Sequence, residues 1–317
     1  MKLADLGEFG FIERIRSVAA RTEGAGVCCG IGDDCAVLEL PPGHVLLTST
    51  DLLIEDVHFR PAWSDWRSLG GKCVSVNVSD VAAMGGSPRH LYLGLAIPAD
   101  MALTDLEAFM DGFIQTATEY GAVLVGGDTC RSPGPLMVSV TVEGAAPANQ
   151  VLCRSGAHLG DAVYVSGTLG DSALALRQLQ NGRPPADELA RRHHSPQARV
   201  TLGRALAAAG IPSAMIDVSD GPLADLGHIL AASAVGARLE QAQLPLSPAF
   251  RQALAEEPAL IELALSGGED YELLFTVPEE KEALLASLDK DVSVTRIGTI
   301  IEAGQGLQVV DEQGRVR

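Results

Sequence analysis

The sequence predicts two domains, each built from mixed strands and helices and each of the α/β or α+β type. The chain has 317 residues, a length that suits two domains of ordinary size. Hydrophobic residues make up 47% of the sequence, so each half can bury a core. Strand-like and helix-like segments occur in both halves. The texture becomes loop-like over residues 145–160, and we therefore expect domains at 1–147 and 148–317.

In the first half, a capping box at Thr104 and Glu107 predicts a helix start, and Gly121 predicts where that helix stops. A strand after Gly121 is expected to end at Gly126-Gly127-Asp128. The predicted elements of this half are a helix over 8–20, a strand over 44–51, a helix from Thr104 to Tyr120, a strand over 122–125 and a strand over 136–144.

In the second half, Asp220 followed by Gly221-Pro222 predicts a helix start, because proline is favoured in the first helical turn. The polar stretch 182–196 contains proline and is expected to be a surface excursion. The predicted elements are a strand over 162–166, a helix over 170–180, an Ala-rich helix over 197–209, a strand over 215–218, a strand over 273–277, a helix over 279–288 and two weak strands.

The charge balance limits the choice of partners. The chain carries 23 basic and 41 acidic residues, a net charge of −18, which argues against a nucleic-acid binder. An anionic ligand would be repelled unless cations intervene. No stretch approaches the ~20 apolar residues of a membrane helix, and the N-terminus has no apolar signal core. The six cysteines lack metal-type spacing and indicate reduced thiols, so we expect a cytoplasmic protein without a membrane partner.

The common phosphate, dinucleotide, zinc and serine-hydrolase motifs are missing from the sequence. What recurs instead is aspartate beside glycine, serine or threonine after an apolar run. These sites are Gly32-Asp33-Asp34, Ser49-Thr50-Asp51, Ser79-Asp80, Gly127-Asp128 and Asp217 with Ser219-Asp220. Each is expected at a strand end, and NVSD (77–80) and DVSD (217–220) are both expected at a strand-to-helix transition.

Each aspartate alone has an ordinary structural explanation. A helix N-cap explains Asp80 or Asp220, and a turn explains Asp34 or Asp128. Repetition favours function, because carboxylates and hydroxyls are the hard oxygen ligands that magnesium prefers. Converging carboxylates would repel one another strongly without bound cations. Several magnesium ions would convert such an acidic site into a receptor for phosphates.

The motifs, in their order along the chain, resemble the thiamine-monophosphate kinase family. The family is similar in fold to aminoimidazole ribonucleotide synthetase. The matching stretches are GEFGFIERI (7–15), GIGDDCAVL (30–38), STDLLIEDVHF (49–59), NVSDVAAMGG (77–86), GGDTCR (126–131), RSGAHLGD (154–161), VSGTLGDSA (165–173), IDVSDGPLADLGHI (216–229) and SGGEDYELLFTV (266–277).

The resemblance implies a two-domain aminoimidazole ribonucleotide synthetase-like fold. Its N-terminal α/β domain dimerises, and ATP lies in the cleft between that domain and a C-terminal α+β domain. The implied reaction is magnesium-dependent transfer of phosphate from ATP to thiamine monophosphate. The product is thiamine diphosphate, in the last step of its biosynthesis. Because the acceptor phosphate is itself a nucleophile, no catalytic protein base is expected, and direct in-line transfer is the mechanism we expect.

The resemblance also implies a role for each matched residue. The implied metal ligands are Asp34, Ser49, Thr50, Asp51, Asp80, Asp128, Asp217 and Asp220. The implied nucleotide contacts are Tyr120, Gly127, Asp128, Arg154 and Ser219, and the implied substrate contacts are His58 and Glu269. A structural histidine, a charge that fixes the Gly267-Gly268 turn and a surface arginine are the competing interpretations of His58, Glu269 and Arg154.

Two further points stay open from the sequence. Family members continue into an aromatic tail that contacts thiamine, so in this chain the contact is absent or is made by another aromatic, Trp63 or Trp66. A sister ATP-using synthetase of the same superfamily and a non-catalytic ATP-binding regulator are the alternative functions. Release of ADP that depends on thiamine monophosphate distinguishes the kinase from both.

Overall fold

The computed structural model describes residues 13–15, 26–31, 35–288 and 292–316. They form two compact units. The first comprises the described residues up to Val81 together with Ser87–Ala148, and the second comprises Ala82–Gly86 and the described residues from Asn149 onward. The functional roles expected for the two domains stay predictions. Of the predicted helix over 8–20 only residues 13–15 are described, and they are helical. The proposed ligand Asp34 lies outside the described residues.

The first unit is built around a four-stranded sheet in the order β3-β6-β4-β5. Strands β4 and β5 run parallel, whereas β6 is antiparallel to both β3 and β4. A separate pair joins β1 and β2. The elements are β1 (Val27–Cys29), β2 (Val37–Leu38), β3 (His44–Ile54), α1 (Trp66–Ala83), β4 (Ser87–Pro98), α2 (Leu103–Glu119), β5 (Val123–Ser132) and β6 (Met137–Pro147).

The two faces of this sheet differ in burial. Alternate residues such as Leu93 of β4 and Val140 of β6 are buried, as period-two strands with one covered face require. On the opposite face, Leu46 and Leu52 of β3 and Met137 of β6 are 51%, 56% and 37% exposed. We call this second side the open face. It presents apolar side chains to solvent within one chain.

Several boundaries in the first unit differ from the sequence predictions. Helix α2 begins at Leu103 with Ala102 as a cap that has no side-chain hydrogen bond, so the predicted capping box is wrong. The predicted helix end is confirmed, because Gly121 has a φ of 73° directly after the C-cap residue Tyr120. Strand β5 runs through Gly127-Asp128 instead of ending there, since its pairing with β4 continues to Ser132.

Asp51 and Asp80 also occupy positions other than the predicted strand ends. Asp51 lies inside β3, which continues to Ile54. Asp80 lies within α1, so both the predicted strand-to-helix transition and the N-cap interpretation are wrong for it. Most of α1 is buried on all sides, and such a helix shows no amphipathic period in its sequence.

The second unit contains a six-stranded sheet in the order β12-β9-β11-β7-β10-β8, which is antiparallel except for the β12–β9 pair. Its elements are β7 (Ala162–Ser166), α3 (Asp171–Gln180), α4 (Asp187–His194), α5 (Val200–Ala208), β8 (Ala214–Asp217), α6 (Pro222–Ser233), β9 (Gly236–Glu240), α7 (Pro248–Glu256), α8 (Ile261–Ser266), β10 (Leu273–Val277), α9 (Glu282–Ser287), β11 (Val294–Ile301) and β12 (Leu307–Val310).

Strands β7, β8 and β10 and helices α3 and α5 confirm the predictions for these segments to within a few residues. The stretch 182–196 differs, because it contains α4, whose Arg192 and His193 turn inward. Asp220 is not the helix cap, since Gly221 takes that position before Pro222. Two apolar clusters fill this unit, one around Phe250 and one around Phe275. Among the described residues, no helix has the length and apolar character that a bilayer span needs.

Candidate active site

Three of the predicted ligands meet in the first unit, where β3 faces α1. The hydroxyl of Ser49 donates a hydrogen bond of 2.5 Å to Oδ2 of Asp80. Asp51 lies two residues beyond Ser49 on the same strand and therefore projects from the same face. The strand and the helix thus bring together two carboxylates and a hydroxyl that are 31 residues apart in sequence.

The two carboxylates of this group repel each other when both are ionised. Burial raises the pKa of Asp51, the charge of Asp80 raises it further, and His58 offsets part of the effect. A raised carboxyl pKa means that the folded protein resists a full negative charge at this position. A divalent cation would reverse that preference, because it stabilises ionised oxygen ligands.

Thr50 and Asp128 lie elsewhere on the sheet. The Thr50 hydroxyl lies on the open face, 2.9 Å from the hydroxyl of Thr141. Register alignment pairs Asp128 with Gly94, which places its exposed carboxylate on the open face as well. Because β3 and β5 are the two edge strands, Asp128 is three strand spacings from β3, about 14 Å. Within one chain, the structure does not bring Asp128 to Asp51.

The neighbouring nucleotide and substrate candidates have defined partners. Tyr120 caps α2 and lies with its hydroxyl 3.3 Å from that of Ser75. The backbone N–H of Ile54 donates to Nδ1 of His58 over 3.0 Å. That bond requires a lone pair on Nδ1, so the neutral ring carries its proton on Nε2. His58 therefore presents an N–H donor on its exposed side, in the loop that follows β3.

The two tryptophans that the sequence offers as thiamine contacts have different surroundings. The guanidinium of Arg60 covers the ring of Trp63 at 4.6 Å from its centroid. Trp66 instead lines a pocket of about 630 Å³, together with Met101, Leu136 and other side chains. Four carboxylates complete the lining of this pocket, from Glu55, Asp56, Asp100 and Asp105.

In the second unit, Asp217, Ser219 and Asp220 follow one another at the end of β8. Asp217 is the last residue of the strand and is 4% exposed. Three consecutive backbone N–H groups, of Ser219, Asp220 and Gly221, donate to Oδ2 of Asp225 over 3.0–3.1 Å. This carboxylate occupies the anion-binding position at the start of α6 that a phosphate takes in other proteins.

Asp225 is not among the residues that the sequence predicts for the site. Its partner atoms belong to the preceding turn, and only the folded chain shows that they point at one oxygen. Burial and, to a smaller extent, the charge of Asp220 raise the pKa of Asp225 to about 6, against the three backbone hydrogen bonds that lower it. Ligand atoms of Asp220, Asp225 and His228 lie within 4.8 Å of one another, an arrangement that can hold a metal ion. The Asp225 and His228 spacing of three residues on a helix was a signal present in the sequence.

Glu269 lies directly beside the Ser219 turn. Its backbone N–H donates to the carbonyl of Ser219 over 2.8 Å, and Tyr271 donates to the carbonyl of Val218 over 2.8 Å. Glu269 and Tyr271 have φ values of 66° and 52°, in the left-handed region that non-glycine residues seldom adopt. The predicted substrate contact and the predicted nucleotide contact therefore share one hydrogen-bonded segment.

Arg154 is placed away from that segment. Its carbonyl accepts a hydrogen bond from the hydroxyl of Ser233 at the C-terminal end of α6. Ser219 and Asp220 precede the other end of this 12-residue helix, a length of about 18 Å. The structure groups the backbone of Arg154 with the far end of α6 and leaves its side chain exposed.

The donor set fits magnesium. Carboxylates and a serine hydroxyl supply hard oxygen ligands. A bound cation would also relieve the electrostatic repulsion between Asp51 and Asp80. In the first unit the residues that would hold such an ion are Ser49, Asp51 and Asp80. In the second unit they are Asp220, Asp225 and His228.

Fold and site together define an AIR synthase related protein. The family model of the N-terminal domain of AIR synthase related proteins matches residues 32–146, and that of the C-terminal domain matches residues 159–310. Thiamine-monophosphate kinase of Escherichia coli K12 is 43% identical over 297 residues, which cover 92% of this chain and 87% of the relative. The chain belongs to the thiamine-monophosphate kinase family.

Solved structures agree with this assignment. The crystal structure of thiamine-monophosphate kinase from Stenotrophomonas maltophilia is 40% identical, with a TM-score of 0.86 and coverage of 98% of each chain. The structure of AaThiL complexed with AMPPCP and TMP is 35% identical, with a TM-score of 0.77. That alignment covers 99% of this chain and 96% of AaThiL.

Proposed function

We propose that this protein transfers the γ-phosphoryl group of ATP to thiamine monophosphate, giving ADP and thiamine diphosphate. The observation that carries the proposal is the clustering of Ser49, Asp51 and Asp80 at matched family positions, with the pKa of Asp51 raised by burial and by the charge of Asp80. Relatives matched over 87% and 90% of their own length carry the thiamine-monophosphate kinase name. One relative has been solved with AMPPCP and TMP.

Magnesium, when bound by these carboxylates, supplies positive charge for the phosphate oxygens and holds them in place. The protein's own contribution is to fix the ligands. Strand β3 fixes Ser49 and Asp51, and α1 fixes Asp80. The Ser49 hydroxyl orients the Asp80 carboxylate through its hydrogen bond. Because strand and helix positions are rigid, little reorganisation is needed when the ligands bind.

The transfer itself needs no protein base. The second pKa of a phosphate monoester is about 6, so near neutral pH an acceptor oxygen carries an available electron pair. That oxygen forms a bond to the γ-phosphorus as the bond from the γ-phosphorus to the β–γ bridging oxygen breaks, and ADP leaves with the electron pair. Inversion of configuration at a chirally labelled γ-phosphorus is the expected result of this in-line step. Retention would instead indicate a phosphoenzyme.

We assign the acceptor to His58 and Glu269 and the nucleotide to Tyr120, Gly127, Asp128, Arg154 and Ser219, as family positions. His58 can donate from Nε2 to an acceptor oxygen, since its Nδ1 is occupied by the N–H of Ile54. Ser219 lies on the turn that the Asp225 carboxylate organises.

We place the organic part of thiamine in the pocket beside Trp66. The thiazolium ring is a cation, which an aromatic ring and acidic side chains attract, and Trp66 and four acidic residues line the pocket. Trp66→Ala should raise the KM for thiamine monophosphate about fivefold and leave the KM for ATP unchanged. Trp63→Ala is the matched control, because Arg60 already covers that ring. Equal effects of both substitutions on the acceptor KM would remove the pocket from the site.

Coupled release of ADP tests the reaction. With magnesium and ATP present, the proposal predicts that ADP and thiamine diphosphate appear in equal amounts, and only when thiamine monophosphate is added. ATP binding without turnover would support a regulator. ADP release independent of thiamine monophosphate would support a sister synthetase.

We also propose that the protein is a homodimer whose copies complete the site. In the register of the sheet, Asp51 pairs with Val140, Val140 with Leu93, and Leu93 with Gly127. Asp51 and Gly127 therefore lie at one level of the sheet, on opposite edges. Edge strands carry unpaired backbone groups that favour pairing with another chain.

A second copy of the chain would bring together family ligand positions that lie apart within one chain. If β3 of one copy lies beside β5 of the other, Thr50 and Asp128 of the partner subunit project from the same open face, and Asp51 is the next residue of β3. The apolar open face, with Leu46, Leu52 and Met137, would be covered in the same assembly. This arrangement accounts for a family ligand position that lies about 14 Å from β3 within one chain.

Mixing two inactive variants tests the shared site. Asp51→Asn and Asp128→Asn should each abolish turnover alone. If the copies share sites, a mixed dimer carries one intact site, so an equal mixture regains about a quarter of wild-type activity. No recovery after subunit exchange would place both residues in a single-chain site.

The free thiols of the described cysteines fit the cytoplasmic location that we expect.

A further inference from the structure

The loop Gly267–Glu272, here called the acidic loop, is held from behind by helix α4 and the segment before α5. Glu272 is fully buried and accepts hydrogen bonds of 2.7 Å from Nη2 of Arg192 and from Nε of Arg199. The Ser166 hydroxyl adds a bond of 2.5 Å. Burial alone would raise the pKa of Glu272, but these hydrogen bonds and the two arginine charges hold it below its usual value. The buried carboxylate is therefore ionised and firmly fixed.

Arg192 also fastens the backbone of the acidic loop. Its Nη2 lies 3.3 Å from the carbonyl oxygen of Asp270 and 3.2 Å from that of Thr168. One guanidinium thus joins the loop to the end of β7 and to the Glu272 side chain. On the other side, Glu269 and Tyr271 donate to the carbonyls of Ser219 and Val218. The loop is anchored on two sides.

This anchoring supports a strained backbone. Left-handed conformations at non-glycine residues are strained and persist only where surrounding contacts fix them. Glu269 and Tyr271 both adopt such conformations. The left-handed turn at Glu269 directs its side chain toward α4 while 29% of that side chain stays exposed. A ligand can therefore reach the Glu269 carboxylate.

His193 of α4 lies directly behind that carboxylate. Its Nδ1 is 3.4 Å from Oε2 of Glu269 and 2.9 Å from the hydroxyl of Ser172. The imidazole is buried, and its ring contacts that of His194 edge to face at 5.0 Å. With Ser172 and His194 fixing the ring, His193 defines where the Glu269 carboxylate can lie.

We propose that His193 is a positioning residue that orients Glu269 toward the phosphorylated acceptor, with Arg192 holding the loop in the conformation this requires. The inference rests on the proposed function, because it assumes that Glu269 contacts thiamine monophosphate. The proposal assigns a role in substrate binding to the segment 182–196, whose composition predicts a surface excursion. A role limited to packing would affect folding stability and leave the acceptor KM unchanged.

Kinetics of His193→Ala and His193→Asn test the proposal. The alanine variant should raise the KM for thiamine monophosphate about tenfold, with kcat and the KM for ATP within about twofold of wild type. The asparagine variant should recover most of the loss, because its side-chain amide lies near the position of Nδ1. Ser172→Ala should give a smaller rise of about threefold in the same KM, and it serves if His193→Ala folds poorly.

A double-mutant cycle with Glu269→Gln separates positioning from packing. If His193 acts through Glu269, adding His193→Ala to Glu269→Gln should change the acceptor KM by less than about twofold. Additive effects would overturn the proposal. So would a Glu269→Gln variant with a normal acceptor KM, although turnover of thiamine monophosphate by the wild type would then leave the proposed function standing. If the wild type fails to phosphorylate thiamine monophosphate, both the proposed function and this inference fail.

Discussion

Two groups of carboxylates in this molecule have opposite electrostatic surroundings. In the second unit, Glu272 is buried between two arginines, and its pKa lies below the usual value. In the first unit, Asp51 packs near Asp80, and its pKa lies above the usual value. The protein balances the charge of Glu272 with its own side chains and leaves the repulsion at Asp51 unbalanced. An unbalanced carboxylate is typical of a functional site, whereas a balanced one is typical of structure.

The largest effect should come from the unbalanced group. Asp51→Asn should lower kcat/KM for phosphoryl transfer by about 10³-fold, because a metal ligand is lost. The free energy of unfolding without magnesium should not fall, since the substitution removes a repelled charge. Steady-state kinetics and urea unfolding measure the two quantities. Glu280→Gln, at an exposed acid, is the control and should change neither. A destabilised Asp51→Asn variant would contradict the comparison.

The balanced group should show the reverse pattern. Arg199→Ala leaves Glu272 with one arginine fewer in a buried position, so the free energy of unfolding should fall by about 3–5 kcal/mol. Arg177→Ala removes an exposed ion pair with Glu257 at 2.7 Å and should cost less than about 1 kcal/mol. Denaturant unfolding of both variants gives the difference. Similar small losses would show that the burial of Glu272 does not determine its contribution.

Asp270, in the same loop as Glu272, is expected to have a smaller effect on stability that depends on pH. Burial raises its pKa to about 8, against the hydrogen bond from the N–H of Gly170 and the charge of Arg192. The folded state then keeps a proton that the unfolded state loses above its ordinary pKa of 3.8, so this group lowers stability as pH rises from about 4 to 8.

Asp270→Asn removes that proton exchange. Relative to wild type, the variant should gain at least about 1 kcal/mol of stability between pH 5 and pH 8, and the gain should level off above pH 8. Thermal or urea unfolding at several pH values gives the curve. A difference between variant and wild type that is constant with pH would mean that Asp270 is ionised in the folded protein.

The sequence predicted the two-domain fold and the types of most elements, because their apolar periods are strong. It misplaced Asp51, Asp80 and Asp128 relative to the elements that carry them. Pairing with β4 carries β5 through glycines that locally predict a strand end. Helix α1 is buried on most sides and rich in valine, so neither its period nor its composition indicates a helix.

The residues that support the site could not be predicted from local sequence patterns. Arg192 and Glu272 are 80 residues apart in sequence, and the polar run around Arg192 has the composition of a loop. Asp225 reads as an ordinary helical acid until three amides are seen to converge on it. Such contacts depend on tertiary packing, which overrides local propensity.

Equilibrium binding of Mn²⁺, followed by electron paramagnetic resonance in the presence of AMPPCP, measures directly whether the opposed carboxylates hold a divalent ion. The predicted result is that Asp80→Asn binds at least one ion fewer per subunit than wild type or binds it about tenfold more weakly. Glu280→Gln should match the wild type. Equal numbers of ions bound with equal affinity by Asp80→Asn and wild type would contradict the assignment of Ser49, Asp51 and Asp80 as the metal site.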